Sequence, residues 1–194
     1  MARTWKFSEP LVLASASPRR KELISRVAEN VEILPADIDE STVTASSPRA
    51  LVRELSRRKA LAVKALPQCR GKVVVGADTV VFLDKLYGKP RDFDDAVRIL
   101  SALNGREHYV YTGVTVAADS GSVTFSVRSS VVFRHLSDEE IKDYVSTHRP
   151  YDKAGAYAIQ EGVVVQSYKG SLTNIIGLPV EKLSEVLRGE KWLG

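Results

Sequence analysis

The stretch Lys72–Leu83 constrains this chain more than any other. Val73-Val74-Val75 and Val80-Val81-Phe82 flank Gly76-Ala77-Asp78-Thr79. β-Branched and aromatic side chains favour extended backbone, so the whole stretch reads as a strand. Asp78 then stands among valines with few routes to water. Burying an unpaired carboxylate is expensive, so Asp78 needs a partner: a metal ion, a lysine or backbone amides. Gly76, just before it, allows close backbone approach or a bend. The bland alternative is an aspartate at a strand end that caps a turn. The apolar run favours a functional carboxylate.

Around this stretch the pattern alternates between strand and helix. Leu11–Ala14 is a short apolar run that ends at Ser15-Ala16-Ser17-Pro18. Arg19–Asn30 follows, with Leu23, Ile24 and Val27 at helical spacing. Ser17 suits an N-cap and Pro18 a first helical residue. Val31–Leu34 reads as a strand running into the acidic loop Pro35–Glu40. Ser47-Pro48 repeats the cap-plus-proline signal and opens a helix to about Leu66. Its apolar stripe contains Leu51, Leu55, Ala62 and Leu66, with Lys59 on the same stripe. Asp92 or Asp94 caps a helix carrying Ala96, Val97, Leu100 and Leu103, which Asn104-Gly105 stops. Tyr109–Ala117 and Val123–Arg134 read as a hairpin turning at Asp119-Ser120-Gly121. Ser137-Asp138-Glu139-Glu140 is a capping box before Ile141, Tyr144 and Val145. Tyr157–Ile159 and Val163–Gln166 read as strands with Glu161-Gly162 between them, and Val180–Leu187 as a last helix closed by Gly189. This order predicts an α/β or α+β fold around a mixed sheet rather than a purely parallel one.

Composition narrows the function classes. A length of 194 residues, without repeat or linker, predicts one domain over 1–194. Hydrophobic residues at 44% and charged residues at 27% fit an ordinary soluble globular chain. The single cysteine, Cys69, excludes an internal disulfide and a multi-cysteine zinc site. His108, His135 and His148 lack metal-ligand spacing. No apolar run approaches the roughly 18 residues of a membrane span. Met1–Pro10 has no apolar core of a secretory signal. The expectation is a reducing, cytoplasmic setting without a membrane partner. A net charge of +4 is compatible with an anionic ligand such as a nucleotide, but charge alone favours a solvated surface with a slight excess of Arg and Lys. No interleaving of aromatic and basic residues supports nucleic-acid binding.

Several segments carry candidate chemistry. A loop entering a helix at Ser15–Arg20 offers free N–H groups and the positive end of a helix dipole. Arg19 and Arg20 are cations at the wrong end of that dipole unless an anion sits between them, and their planar forks suit phosphate. The alternative is two solvated arginines on a capped helix. No P-loop signature occurs. Lys59, on an apolar stripe, either snorkels to solvent or meets a buried anion. Lys89-Pro90 is a stiffened lysine or simply a turn. Asp37, Asp39 and Glu40 are oxygen ligands of the type that Mg²⁺ or Mn²⁺ prefers, or a solvated acidic loop. Together these groups suit a nucleoside triphosphate with a divalent ion.

The blocks Leu13-Ala14-Ser15-Ala16-Ser17-Pro18-Arg19-Arg20, Gly76-Ala77-Asp78-Thr79-Val80-Val81 and Gly88-Lys89-Pro90-Arg91 resemble those of the Maf family of nucleoside triphosphate pyrophosphatases. So do Asp152-Lys153-Ala154-Gly155-Ala156-Tyr157-Ala158-Ile159-Gln160 and Ile176-Gly177-Leu178-Pro179, and all stand in family order. The resemblance implies an α/β fold with an elongated, twisted mixed sheet flanked by helices, and two lobes around a cleft, similar to inosine triphosphate pyrophosphatases. It implies cleavage between the α and β phosphates of a nucleoside triphosphate, with Mg²⁺ or Mn²⁺. Asp78 matches the catalytic position, as proton acceptor and metal ligand. Arg19, Thr79 and Gln160 match specificity positions. Ser15, Arg20, Lys59 and Lys89 fall among substrate-binding positions, and an acidic residue near Asp39 would be a further metal ligand.

The stretch through Tyr157-Ala158-Ile159-Gln160 resembles the branch that acts on dTTP and UTP. The amide of Gln160 can both donate to and accept from a uracil or thymine edge. Glu161 stands where glycine is usual, and its carboxylate would favour a cytosine-type donor edge instead. Ala158 likewise stands where glycine is frequent. A different role, that of a nucleotide-binding regulator of septum formation or cell division, would hold nucleotide without turnover. The oligomeric state is left open, a homodimer being one candidate.

Overall fold

The structure, a computed structural model, describes residues 6–189. The first five residues of the Met1–Pro10 segment considered above lie outside the described residues. The strands are β1 (Leu11–Leu13), β2 (Val31–Ile33), β3 (Val73–Phe82), β4 (Leu86–Tyr87), β5 (Glu107–Ala118), β6 (Gly121–Phe133) and β7 (Val165–Lys169). The helices are α1 (Pro18–Ile24), α2 (Pro48–Lys64), α3 (Phe93–Leu103), α4 (Asp138–His148), α5 (Leu172–Ile176) and α6 (Val180–Gly189). The strands form one mixed sheet in the order β2-β1-β3-β5-β6-β7, with β4 on the far end of β3. β1 pairs in parallel with β2 and β3, and the other pairings between these strands are antiparallel. The mixed α/β sheet expected from the sequence is therefore present.

Two apolar cores occupy opposite ends of the long strands. Val73, Val75, Val114, Val116 and Phe125 pack with α1 and α6 through Leu23 and Leu183. Val81, Val110, Val131 and Phe133 pack with α3 and α4 through Leu100 and Ile141. Asp78 and Thr79 fall between them, at the middle of β3. One edge of β3 is held by β1 at Val73–Val75 and by β4 at Val81–Phe82. Among the described residues no strand pairs with that edge between those two contacts, and this gap is the floor of a cleft between the two cores.

Helix α2 lies directly on the sheet because two glycines admit it. A Cβ on Gly76 would stand 2.5 Å from the Ser56 carbonyl oxygen and 2.6 Å from the Ala60 nitrogen. One on Gly113 would stand 2.1 Å from the Val52 carbonyl oxygen. Only side chains without a Cβ permit that approach. The buried face of α2 is Val52, Leu55, Ser56, Ala60 and Val63. This corrects the stripe read from the sequence, since Ala62 and Leu66 face solvent. Leu51, Leu55 and Lys59 instead form a row along the cleft.

Caps at Ser17, Ser47, Asp92 and Ser137 are as expected, the last with a complete capping box. The hairpin turn at Asp119-Ser120 joins β5 to β6. Helix α1 ends at Ile24 rather than Asn30. The chain turns at Ser25–Val27, yet Val27 and Ala28 remain in the core, which explains the helical spacing. Tyr157–Ile159 is not a strand. Short 3-10 turns at Ala154–Ala156 and Ile159–Glu161 surround it, and Gly155, Ala156 and Gly162 adopt left-handed backbone at φ 72°, 60° and 68°. Tyr157 and Ala158 keep extended backbone, at φ -148° and -127°, but these turns confine them to two residues that pair with no strand among the described residues. The next strand starts at Val165, two residues later than expected.

Gly76→Ala forces α2 off the sheet or strains it. Overpacking of this kind costs about 1–3 kcal/mol. The urea midpoint of the variant is expected to fall with the slope unchanged. A midpoint equal to wild type would show that α2 does not depend on this contact.

Candidate active site

The Asp78 carboxylate emerges at the gap in β3 and meets the ammonium of Lys59. Lys59 Nζ donates to Asp78 Oδ1 at 2.6 Å and lies 2.8 Å from Glu40 Oε1. Gly76 and Asp78 share one face of β3. The helix that Gly76 admits therefore delivers Lys59 to Asp78, the lysine partner being one of the three anticipated. Lys59 and Asp78 side chains are 12% and 10% exposed, so little water screens the pair. Glu40, at 56%, approaches from the solvent side. Asp39 is turned elsewhere. Its carboxylate accepts from the Ser41 N–H at 3.0 Å and from the Ser41 hydroxyl at 2.6 Å, capping a short 3-10 turn. Of the acidic loop, Glu40 reaches the cleft, whereas Asp37 and Asp39 do not line it.

The loop before α1 supplies the opposite wall. Ser17 caps the helix by accepting from the Arg20 N–H. Arg20 is enclosed: its guanidinium donates to the Gly177 carbonyl at 2.9 Å, to Ser15 Oγ at 3.3 Å and to Thr79 Oγ1 at 3.0 Å. Desolvation draws its pKa down, and the Asp78 charge opposes that. Arg20 thus joins α1, β3 and the turn after α5. Arg19 instead reaches across the cleft, donating to Asp152 Oδ2 at 2.9 Å and to the Asp152 carbonyl at 3.3 Å. Thr79 Oγ1 also shares a 3.0 Å hydrogen bond with Thr112 Oγ1.

Residues 152–160, which follow α4 and pack on the second core, close the site. Lys89, Lys153, Tyr157 and Gln160 line the same cavity of about 490 Å³, which is a size suited to a small-molecule ligand. Five cationic side chains face three carboxylates there, so the cavity favours an anion. Among the described residues no hydrogen bond or ion pair restrains Lys89 or the Gln160 amide. Glu161 is directed away from the cavity, so its carboxylate does not offer itself to a donor edge of a base there. The structure brings together Asp78, Lys59, Thr79, Arg19, Arg20, Lys89 and Gln160. Ser15 lies behind Arg20, in an adjoining recess.

Asp152, Lys153 and Tyr157 were not among the residues singled out individually from the sequence. Their signal was the long block in which they stand with Gln160. Tyr157 roofs the second core, where its hydroxyl shares a 2.9 Å hydrogen bond with His108 Nε2. His108 is fully buried, and that burial pushes its imidazole down to about 4.

Two outcomes follow. Folding disfavours the His108 proton, so this contribution to stability is intact above pH about 6.5 and is lost as pH falls towards about 4. The loss amounts to about 3 kcal/mol at most. Urea midpoints measured across that window should separate wild type from His108→Gln, the variant showing the shallower decline. Identical pH slopes would assign the acid loss to carboxylates alone.

Lys59→Met preserves bulk but leaves Asp78 without its cation. The expectation is a loss of about 1–3 kcal/mol, recovered when Asp78→Asn is added. If the single variant matched wild type in denaturant unfolding, the pair would contribute nothing to the fold.

The family model described as Maf-like protein matches residues 10–190. The dTTP/UTP pyrophosphatase of Thermosipho africanus (strain TCF52B) is 43% identical over 180 residues, spanning 91% of this chain and 91% of that protein. The dTTP/UTP pyrophosphatase of Geobacter sp. (strain M21) is 44% identical over 183 residues, spanning 92% and 94%. Among solved structures, the Staphylococcus aureus Ham1 protein matches with a TM-score of 0.52 at 16% identity, over 94% of this chain and 100% of that one. That likeness is one of fold.

Proposed function

The chain belongs to the Maf-like protein family, and from that premise we propose that it hydrolyses dTTP and UTP between the α and β phosphates, releasing the monophosphate and pyrophosphate. The observation that carries this reading is the Asp78–Lys59–Glu40 cluster set in a cavity whose remaining charges are mostly cationic.

In this reading Asp78 accepts the proton of the attacking water, since its carboxylate is held at the cleft floor with one oxygen on Lys59. Lys59 holds that carboxylate in place through the 2.6 Å hydrogen bond. Arg19 exchanges Asp152 for a phosphate oxygen, a trade between two anions that a forked donor can make. Lys89 supplies a further positive charge to the phosphates, and Arg20 fixes Thr79 and the helix start rather than moving to the ligand. The Gln160 amide reads the imide edge of the pyrimidine, and a site built on such bonds rejects bases that leave it unpaired.

The carboxylates of Asp78 and Glu40 converge on one cation, Lys59 Nζ. Mg²⁺ and Mn²⁺ suit such oxygen donors, and Mg²⁺ is commonly held by one or two carboxylates plus substrate phosphates, so these residues fit a divalent ion. Asp78 and Glu40 would hold it. Bound there, it would neutralise charge developing on the phosphates. We take the cytoplasm as the working compartment; among the described residues no helix is long and apolar enough to cross a membrane.

The test is a screen of purified protein against dTTP, UTP, CTP, 7-methyl-GTP and ITP with Mg²⁺ or Mn²⁺, scoring pyrophosphate. Turnover of dTTP and UTP is expected to lead, and Asp78→Asn should lower it by about 10²–10⁴-fold while the fold persists. Nucleotide binding without pyrophosphate release would favour a regulatory binder. A preference for 7-methyl-GTP would refute the pyrimidine assignment.

A further inference from the structure

A single buried phenol ties α4 to the turn that carries Gln160. Tyr144, on the inner face of α4, is 2% exposed. Its hydroxyl donates to the Glu161 carboxylate and accepts from the Ala158 N–H at 3.3 Å. These bonds grip both ends of the segment 158–161, with Ile159 and Gln160 between them. The Glu161 carboxylate also stands 3.6 Å from His148 Nδ1 and 4.0 Å from Lys153 Nζ. His148 in turn stacks on the Tyr144 ring with centroids 4.6 Å apart.

A buried phenol places its hydroxyl on a partner. Here the partner is the segment that presents Ala158 and Gln160 to the cavity. Glu161 follows Gln160 directly. Fastening its carboxylate to α4 fixes the backbone between them, and the neighbouring Gln160 is left to face the cavity. The Gln160 amide has no restraint of its own among the described residues, so its aim depends on the backbone beneath it.

We infer that Tyr144 and Glu161 form a positioning clamp that aims Gln160 and thereby sets base discrimination, without either side chain touching the substrate. The inference rests on the reading of Gln160 as the base-contacting residue. Arg19 and Lys89, read as the phosphate-binding groups, and the Lys59–Asp78 pair lie on other segments. Releasing the clamp therefore blurs the choice of base before it impairs the chemistry.

The experiment compares kcat and KM for dTTP and ITP in wild type, Gln160→Ala, Tyr144→Phe, Glu161→Ala and Glu161→Gln, together with amide hydrogen exchange over 158–162. Tyr144→Phe and Glu161→Ala should each lower the dTTP-to-ITP ratio of kcat/KM about tenfold, a shift of about 1.4 kcal/mol. The change should fall on KM for dTTP, with kcat near wild type and faster exchange at Ala158–Glu161. The variant carrying both Tyr144→Phe and Glu161→Ala should lower the ratio by less than the product of the two single effects, since each removes the Tyr144–Glu161 bond. Glu161→Gln still accepts from the phenol and should keep the wild-type ratio. If Gln160→Ala lowers the ratio while both clamp variants leave it unchanged, the clamp is overturned and the base reading stands. If Gln160→Ala itself leaves the ratio unchanged, the base reading fails and the clamp loses its role in specificity. Should Tyr144→Phe not fold, Glu161→Ala, at a position outside the apolar core, decides the matter alone.

Discussion

The contact of α2 with the bare backbone of β3 and β5 is the constraint on which the site depends. Gly76 and Gly113 let the helix sit closer than any side chain would allow. That closeness brings Lys59 within hydrogen-bond reach of Asp78. A carboxylate in the middle of a valine-rich strand is tolerable only with a cation at hand. The strand, the helix and the ion pair thus form one arrangement, in which the packing determines the electrostatics. The same helix presents Leu51 and Leu55 to the cleft in the row that ends at Lys59.

Arginines at the start of α1 divide the labour in a way that their adjacency conceals. Arg20 is consumed by three protein acceptors and acts as a bolt between elements. Arg19, one residue earlier, points across the cleft to the Asp152 carboxylate. Consecutive residues at a helix start project in directions about 100° apart, so a doublet of identical residues there reaches two different surroundings. The only protein partner of the Arg19 head group among the described residues is Asp152, a mostly exposed carboxylate that an incoming anion can displace.

Much of this was legible in the sequence where local chemistry dominates. Ser17-Pro18, Ser47-Pro48 and the Ser137–Glu140 box announce helix starts through bonds made within four residues. The need of Asp78 for a partner followed from its flanking valines. What the sequence concealed was decided at long range. The stripe of α2 was misread because Gly76 and Gly113, distant in sequence, determine which face is pressed to the sheet. Tyr157–Ile159 has the composition of a strand, and Tyr157 and Ala158 are extended, but the 3-10 turns on either side leave them unpaired with any strand among the described residues. Glu161 looked like a ligand-facing charge only because the phenol that claims it comes from another helix. Within the acidic loop, three carboxylates close together gave no sign that Asp39 would be spent on Ser41 and Glu40 left for Lys59.

The open edge of β3 has one more consequence. The Ala14 N–H bonds the Val75 carbonyl and the Leu83 N–H bonds the Lys85 carbonyl, so odd-numbered residues turn their main chain towards that edge. The pairing with β5 runs unshifted from Val74 to Phe82, so the alternation is unbroken between them. The N–H and C=O of Thr79 therefore point into the cleft. Any molecule that lies against the floor meets a donor and an acceptor that belong to the strand itself. Every residue type carries that pair except proline, which lacks the N–H. Side-chain replacement elsewhere can retune what the cavity prefers, but this part of its vocabulary is written in peptide bonds and is inherited with the fold.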